Sequence, residues 1–247
     1  MAYVNGKYHL YYAYSYWDDP DPGIGLAIAD SPEGPFVDQG KLFFSSEVGV
    51  RNSIDPYYYE DDGKKYLFWG SFNNNLGTAT ATGIHMIELT DDGKAIKDPS
   101  TKIKIAAEDW EAPMVYKHGG YYWFFGSKGS CCAGTGSTYR VMVGRATSLA
   151  GPYLGELGAS ILNTDKGTYA LQGNSVFVGP GHNSRIITDK LGQDWILYHA
   201  MDVNNAVIDG VNQRALMLDR VNWNATTGWP LINDGYPSSD PMVSPRF

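Results

Sequence analysis

Three ionisable residues stand at matching distances ahead of three aromatic runs. Asp55, in Ser53-Ile54-Asp55-Pro56, lies 11 residues before Tyr66. Glu111, in Trp110-Glu111-Ala112-Pro113, lies 11 before Tyr122. His182, in Gly179-Pro180-Gly181-His182-Asn183, lies 13 before Trp195. Two carboxyl groups held near each other can divide acid–base work, because each like charge makes it harder for the other to ionise. A neutral imidazole can serve as a metal ligand, though one histidine without carboxylates makes a weak site. The competing reading is structural, with Asp55 and Glu111 capping turns before proline.

The runs that follow these residues belong to a repeat. An aromatic after a glycine turn, then an apolar stretch, occurs at Gly6–Tyr12, Gly63–Trp69, Gly120–Phe125 and Gly192–Tyr198. The leading aromatics Tyr8, Tyr66, Tyr122 and Trp195 are spaced 58, 56 and 73 residues apart. Each run is short and rich in β-forming residues, which predicts a buried strand. A second phrase follows two of them, Ile24-Gly25-Leu26-Ala27 with Gly34-Pro35-Phe36 and Val143-Gly144-Arg145-Ala146 with Gly151-Pro152-Tyr153. Gly83–Leu89 matches the same kind of strand in another unit. A repeat of this length with several short strands and no amphipathic helix predicts β-propeller blades. A β-sandwich is the alternative, but it would not repeat at this length. The first strand of a blade lines the central channel, so Asp55, Glu111 and His182 are expected around one axial pocket. Counting 11 back from Tyr8 passes Met1, so the first visible blade is expected to lack its innermost strand.

Composition supports an all-β chain and excludes several functions. The 247 residues are expected to form a single domain. Aromatic residues make up 14 %, and 29 Gly and 13 Pro supply turns. The net charge of −8 disfavours nucleic-acid binding. No apolar run reaches the length of a membrane-spanning helix. No signal peptide is visible after Met1. The two cysteines, Cys131 and Cys132, are adjacent, which is neither a disulfide framework nor a zinc spacing. Both are expected free, with a bond between them the minority alternative.

At these residues the sequence resembles glycoside hydrolase family 43, within it the endo-1,5-α-L-arabinanases. The matching stretches are Asn52–Pro56, Tyr66–Phe72, Glu111–Pro113, Gly129–Gly134, Ser137–Tyr139, Val143–Arg145, Gly179–Asn183 and Tyr198–Ala200. They run in order over nearly the whole chain. The resemblance implies a five-bladed propeller, with about four blades in this chain and the first absent or incomplete. It implies hydrolysis of α-1,5-linked arabinofuranosyl bonds with inversion, with arabinan or arabino-oligosaccharides as partners. A non-catalytic sugar binder, or an arabinofuranosidase or β-xylosidase of the same fold, are the alternatives.

By the same resemblance, Glu111 is the general acid and Asp55 raises its pKa and holds it in place. Sugar contacts fall on Tyr16, Trp17, Ile54, Ser71, Phe72 and Cys131. His182 matches a histidine near the axis, beside which calcium, sodium or only water fits; no cofactor is implied otherwise. The family's general base, an Asp in an Asp-Pro step, has no match in this sequence. Asp19 and Asp21, in the acidic loop Trp17–Gly23, copy that step superficially, and a solvated turn is the simpler reading. An open N-terminal edge invites strand exchange or a homo-oligomer. The resemblance places such a protein outside the cytoplasm, secreted or periplasmic.

Overall fold

The computed structural model describes residues 1–72, 77–240 and 242–247. Four antiparallel sheets hold the chain. The first contains β1 (Ala2–Val4), β2 (Lys7–Tyr14), β3 (Gly23–Ala29) and β4 (Val37–Phe44), in that order. A one-turn helix α1 (Ser45–Val48) leads to the second sheet of β5 (Tyr57–Asp61), β6 (Lys64–Trp69), β7 (Ile84–Glu88) and β8 (Ile103–Ala106). The third contains β9 (Glu111–His118), β10 (Tyr121–Lys128), β11 (Arg140–Ala146) and β12 (Thr168–Leu171). The fourth is built on β13 (Phe177–Gly181), with β14 (Ile187–Thr188) and β15 (Asp194–Asp202). A small exposed hairpin follows, β16 (Val207–Ile208) and β17 (Val211–Asn212), and the sheet closes with β18 (Ala215–Trp223) and β19 (Pro230–Ile232).

Each sheet is an up-and-down meander, the construction of a propeller blade. The four aromatic phrases are β2, β6, β10 and β15, the second strand of each blade. β3, β6, β7, β10 and β11 are covered on both faces and read as nearly continuous apolar runs, whereas β2 and β18 alternate between buried and more open positions. β3 is buried at six of its seven residues, and β10 at all but its first.

The chain divides into two compact units, Met1–Pro113 with Leu162–Thr164, and Met114–Ile161 with Asp165–Phe247. In the first, Ile24, Leu26, Phe43, Val50, Leu67 and Trp69 form a core in which the Phe43 ring meets the edge of Trp69 at 5.2 Å. In the second, Phe124, Phe125, Val141, Val143 and Tyr153 are fully buried.

One expectation about the first blade is corrected. Its innermost strand is present as β1, paired Ala2↔His9, Tyr3↔Tyr8 and Val4↔Lys7. The 11-residue count missed it because β1 is only three residues long and ends next to the Asn5-Gly6 turn. Among the described residues no helix is long and apolar enough to cross a membrane.

Candidate active site

The first unit brings Asp55 and Glu111 together. Asp55 occupies the turn before β5, and Glu111 is the first residue of β9. The Asp55 Oδ2 accepts a hydrogen bond from the backbone N–H of Ala112 at 3.2 Å, so its carboxylate reaches the residue next to Glu111. Asp55 and Ala112 both have left-handed backbones, φ 56° and 55°. Non-glycine residues seldom adopt that region, and the strain they carry there concentrates at functional sites.

Glu111 is 9 % exposed, and its Oε2 accepts a hydrogen bond from the Ser71 hydroxyl at 3.0 Å. Two links tie the Asp55 segment to the Ser71 segment. The Gly70 N–H donates to the Ile54 carbonyl at 2.9 Å, and the Asn52 side-chain amide donates to the Phe72 carbonyl at 2.9 Å. Ile54 and Phe72 are half-buried beside this zipper. Gly70 has φ 120°, and a Cβ there would lie 2.4 Å from the Gly83 carbonyl oxygen, so only glycine fits.

The loop between β2 and β3 also belongs to the first unit. Tyr16 and Trp17 are 68 % and 86 % exposed. A cavity of about 540 Å³ lies beside Tyr16, lined also by Tyr14, Asp19, Asp21 and Phe44. Asp21 uses both carboxylate oxygens on Ser46, accepting from its N–H and its hydroxyl at 2.7 Å each. It thereby satisfies an N–H at the start of α1 that has no partner within the helix. Asp19 accepts from the Asp21 N–H at 3.0 Å, an Asx turn. Both acids are engaged in shaping the loop.

In the second unit the three-position equivalence changes. His182 does not head its strand; it follows Gly181, whose register partner is His199, in the break between β13 and β14. Its 13-residue offset hid this, because the extra residues are the irregular segment itself. His182 is exposed with φ 47°, and its N–H donates to the Ser127 hydroxyl at 2.8 Å. His199 stacks on Tyr139 at 5.6 Å. Burial, then the charges of Arg214 and His182, pull the His199 pKa down to about 4. Among the described residues no three His, Cys, Asp or Glu side chains converge. One exposed imidazole without carboxylates does not make a protein cage for calcium or sodium.

The cysteine expectation is also corrected. Cys131 and Cys132 are bonded to each other, and no free cysteine remains. Arg214 Nη2 lies 3.1 Å from the Cys132 sulfur. The loop that turns the two sulfurs together is closed by Ser130 and Ser137, whose hydroxyl donates to the Ser130 carbonyl at 2.7 Å, and nothing in adjacent cysteine letters announces such a turn.

Sequence reasoning missed the Ala112 amide, Gly70, Arg214 and the part played by His199. A backbone N–H has no residue signature, and His199 appeared only inside a motif.

Four meander sheets of this construction define a β-propeller protein. The particular family follows from comparison: the model of the glycosyl hydrolases family 43 matches residues 1–230, and the chain belongs to that family. The extracellular endo-α-(1→5)-L-arabinanase 1 of Bacillus subtilis is 33 % identical over 237 residues, covering 93 % of this chain and 66 % of that protein. An extracellular exo-α-(1→5)-L-arabinofuranosidase of Cellvibrio japonicus is 29 % identical, covering 98 % and 70 %. The solved α-L-arabinanase of Cellvibrio cellulosa complexed with arabinohexaose superposes with a TM-score of 0.79 at 28 % identity, covering 92 % of this chain and 74 % of that one. The chain thus spans 66–74 % of the length of these three proteins.

Proposed function

We propose that this chain is an inverting glycoside hydrolase of α-1,5-linked L-arabinofuranosyl bonds in arabinan or arabino-oligosaccharides. The observation that carries the reading is the Asp55 carboxylate bonded to the amide next to a nearly buried Glu111. A second negative charge close to a carboxyl disfavours its ionisation, which keeps an acid protonated near neutral pH. Glu111 would give its proton to the glycosidic oxygen as the bond to the anomeric carbon breaks. Water would attack the opposite face and lose its proton to a base, which in inverting enzymes lies roughly 6.5–9.5 Å from the acid. No residue of this chain is assigned that base, and the engaged oxygens of Asp21 make it a poor substitute. Tyr16, Trp17, Ile54 and Phe72, with Cys131, are read as sugar contacts. A calcium or sodium ion beside His182 would be held chiefly by water, so no step is routed through one. Pairing between copies along β1, which ends its sheet, belongs to the same proposal, and light scattering tests it.

The test is reducing-sugar release from linear 1,5-arabinan, with Glu111→Gln as control. Release that falls on the order of 10²-fold or more in the variant supports the reading. No release above the variant would leave a sugar-binding protein. A second reading, exo-acting release of single arabinofuranosyl units, is favoured by the likeness to the Cellvibrio japonicus relative. Free arabinose as the first product would select it.

A further inference from the structure

We propose that Ser71 is a positioning residue that sets the ionisation of Glu111, and not a sugar contact as the resemblance implied. The inference rests on reading Glu111 as the acid. The Ser71 hydroxyl donates to Glu111 Oε2 at 3.0 Å, across 40 residues of chain. Ser71 is 3 % exposed and Glu111 9 %, so the bond lies where water competes little.

The hydroxyl is also held still. Ser71 leaves β6 through Gly70, whose φ of 120° and closeness to the Gly83 carbonyl admit no side chain. The Gly70 N–H is fixed to Ile54, the residue before Asp55. Trp69, fully buried, donates from its Nε1 to the Ser53 hydroxyl at 3.0 Å. The stretch Ser53–Asp55 and the stretch Trp69–Ser71 therefore form one block that presents two groups to β9. Asp55 takes the amide after Glu111, and Ser71 takes its carboxyl.

The two groups act in opposite directions. The charge of Asp55 disfavours an ionised Glu111, while a hydroxyl donating to the carboxylate favours it. When Glu111 passes its proton to the leaving oxygen, negative charge grows on the carboxyl, and the Ser71 bond strengthens as it does so. Other titratable groups on adjoining elements are Arg51 before β5, His85 on β7, Glu108 and Asp109 before β9, and Lys128 at the end of β10. Burial keeps His85 neutral, and Lys128 Nζ donates to the Lys166 carbonyl at 3.2 Å. All are unchanged in the variants below.

The experiment follows the Glu111 carboxyl directly, by ¹³C NMR of protein labelled at glutamate side-chain carboxyls, with Glu111→Gln identifying the resonance. In Ser71→Ala the midpoint should rise by about one pH unit, and Ser71→Thr should restore it. Where arabinan is hydrolysed, the basic limb of kcat/KM should move up with it, kcat should fall and KM stay near its starting value. An unmoved midpoint overturns the proposal. So does a raised KM with kcat unchanged, the signature of a lost sugar contact. Full hydrolysis by Glu111→Gln would sink the acid reading alone, since the NMR midpoint still judges Ser71.

Discussion

In the reading proposed above, Glu111 stands between a charge that resists its ionisation and a hydroxyl that assists it, and the two can be separated by sign. Asp55→Asn removes the charge but keeps an oxygen that can accept from Ala112. Ionised Glu111 then costs less, and the acid loses its proton at lower pH. The basic limb of the pH–rate profile should therefore move down, opposite to Ser71→Ala. A limb that stays in place would reduce Asp55 to a backbone anchor. The nearness of Asp55 to the Glu111 segment was legible in letters, since both stand out by spacing and resemblance. The Ser71–Glu111 bond was not, because a partner 40 residues away is chosen by the turn at Gly70 and not by any local pattern.

At the scale of elements, β7 carries a titration of its own. His85 is 4 % exposed, and its Nδ1 lies 3.1 Å from the Gly83 carbonyl, which can only accept. Nδ1 therefore carries a proton, and burial leaves Nε2 without one near neutral pH. Burial, the largest cause, holds its pKa at about 4 against an ordinary 6.5. Between those values the unfolded chain binds the proton more tightly, so stability falls as pH drops through the window and is fully present above it. The loss amounts to roughly 3 kcal/mol at most by pH 4. Denaturant unfolding at pH 7 and pH 4 should show that slope in the parent chain and a smaller one in His85→Gln. An equal slope in both would place the acid sensitivity elsewhere. The strands themselves were the most legible level, because the second strands spell out aromatic runs that turns cannot imitate. The short β1 and the broken β13–β14 strand escaped the same rule. Where pairing is interrupted or brief, residue counting loses its ruler.

For the whole molecule, a net charge of −8 meets a proposed substrate that carries none. Encounter with arabinan then gains nothing from long-range attraction, and salt has little to screen. kcat/KM on arabino-oligosaccharides should stay within about twofold between low and high salt. A steep salt dependence would mean that a charged polymer is the true partner. The bonded pair Cys131–Cys132 has a quieter consequence at this scale. A cross-link between neighbours encloses almost no chain, so it constrains the unfolded ensemble hardly at all. Reducing and non-reducing gels should therefore show one and the same band, and the melting curve should barely move when the bond is cut. The mass of the intact protein, lighter by two hydrogens, and a thiol titration that finds none before reduction would reveal that the chain has no thiol to offer a neighbouring molecule.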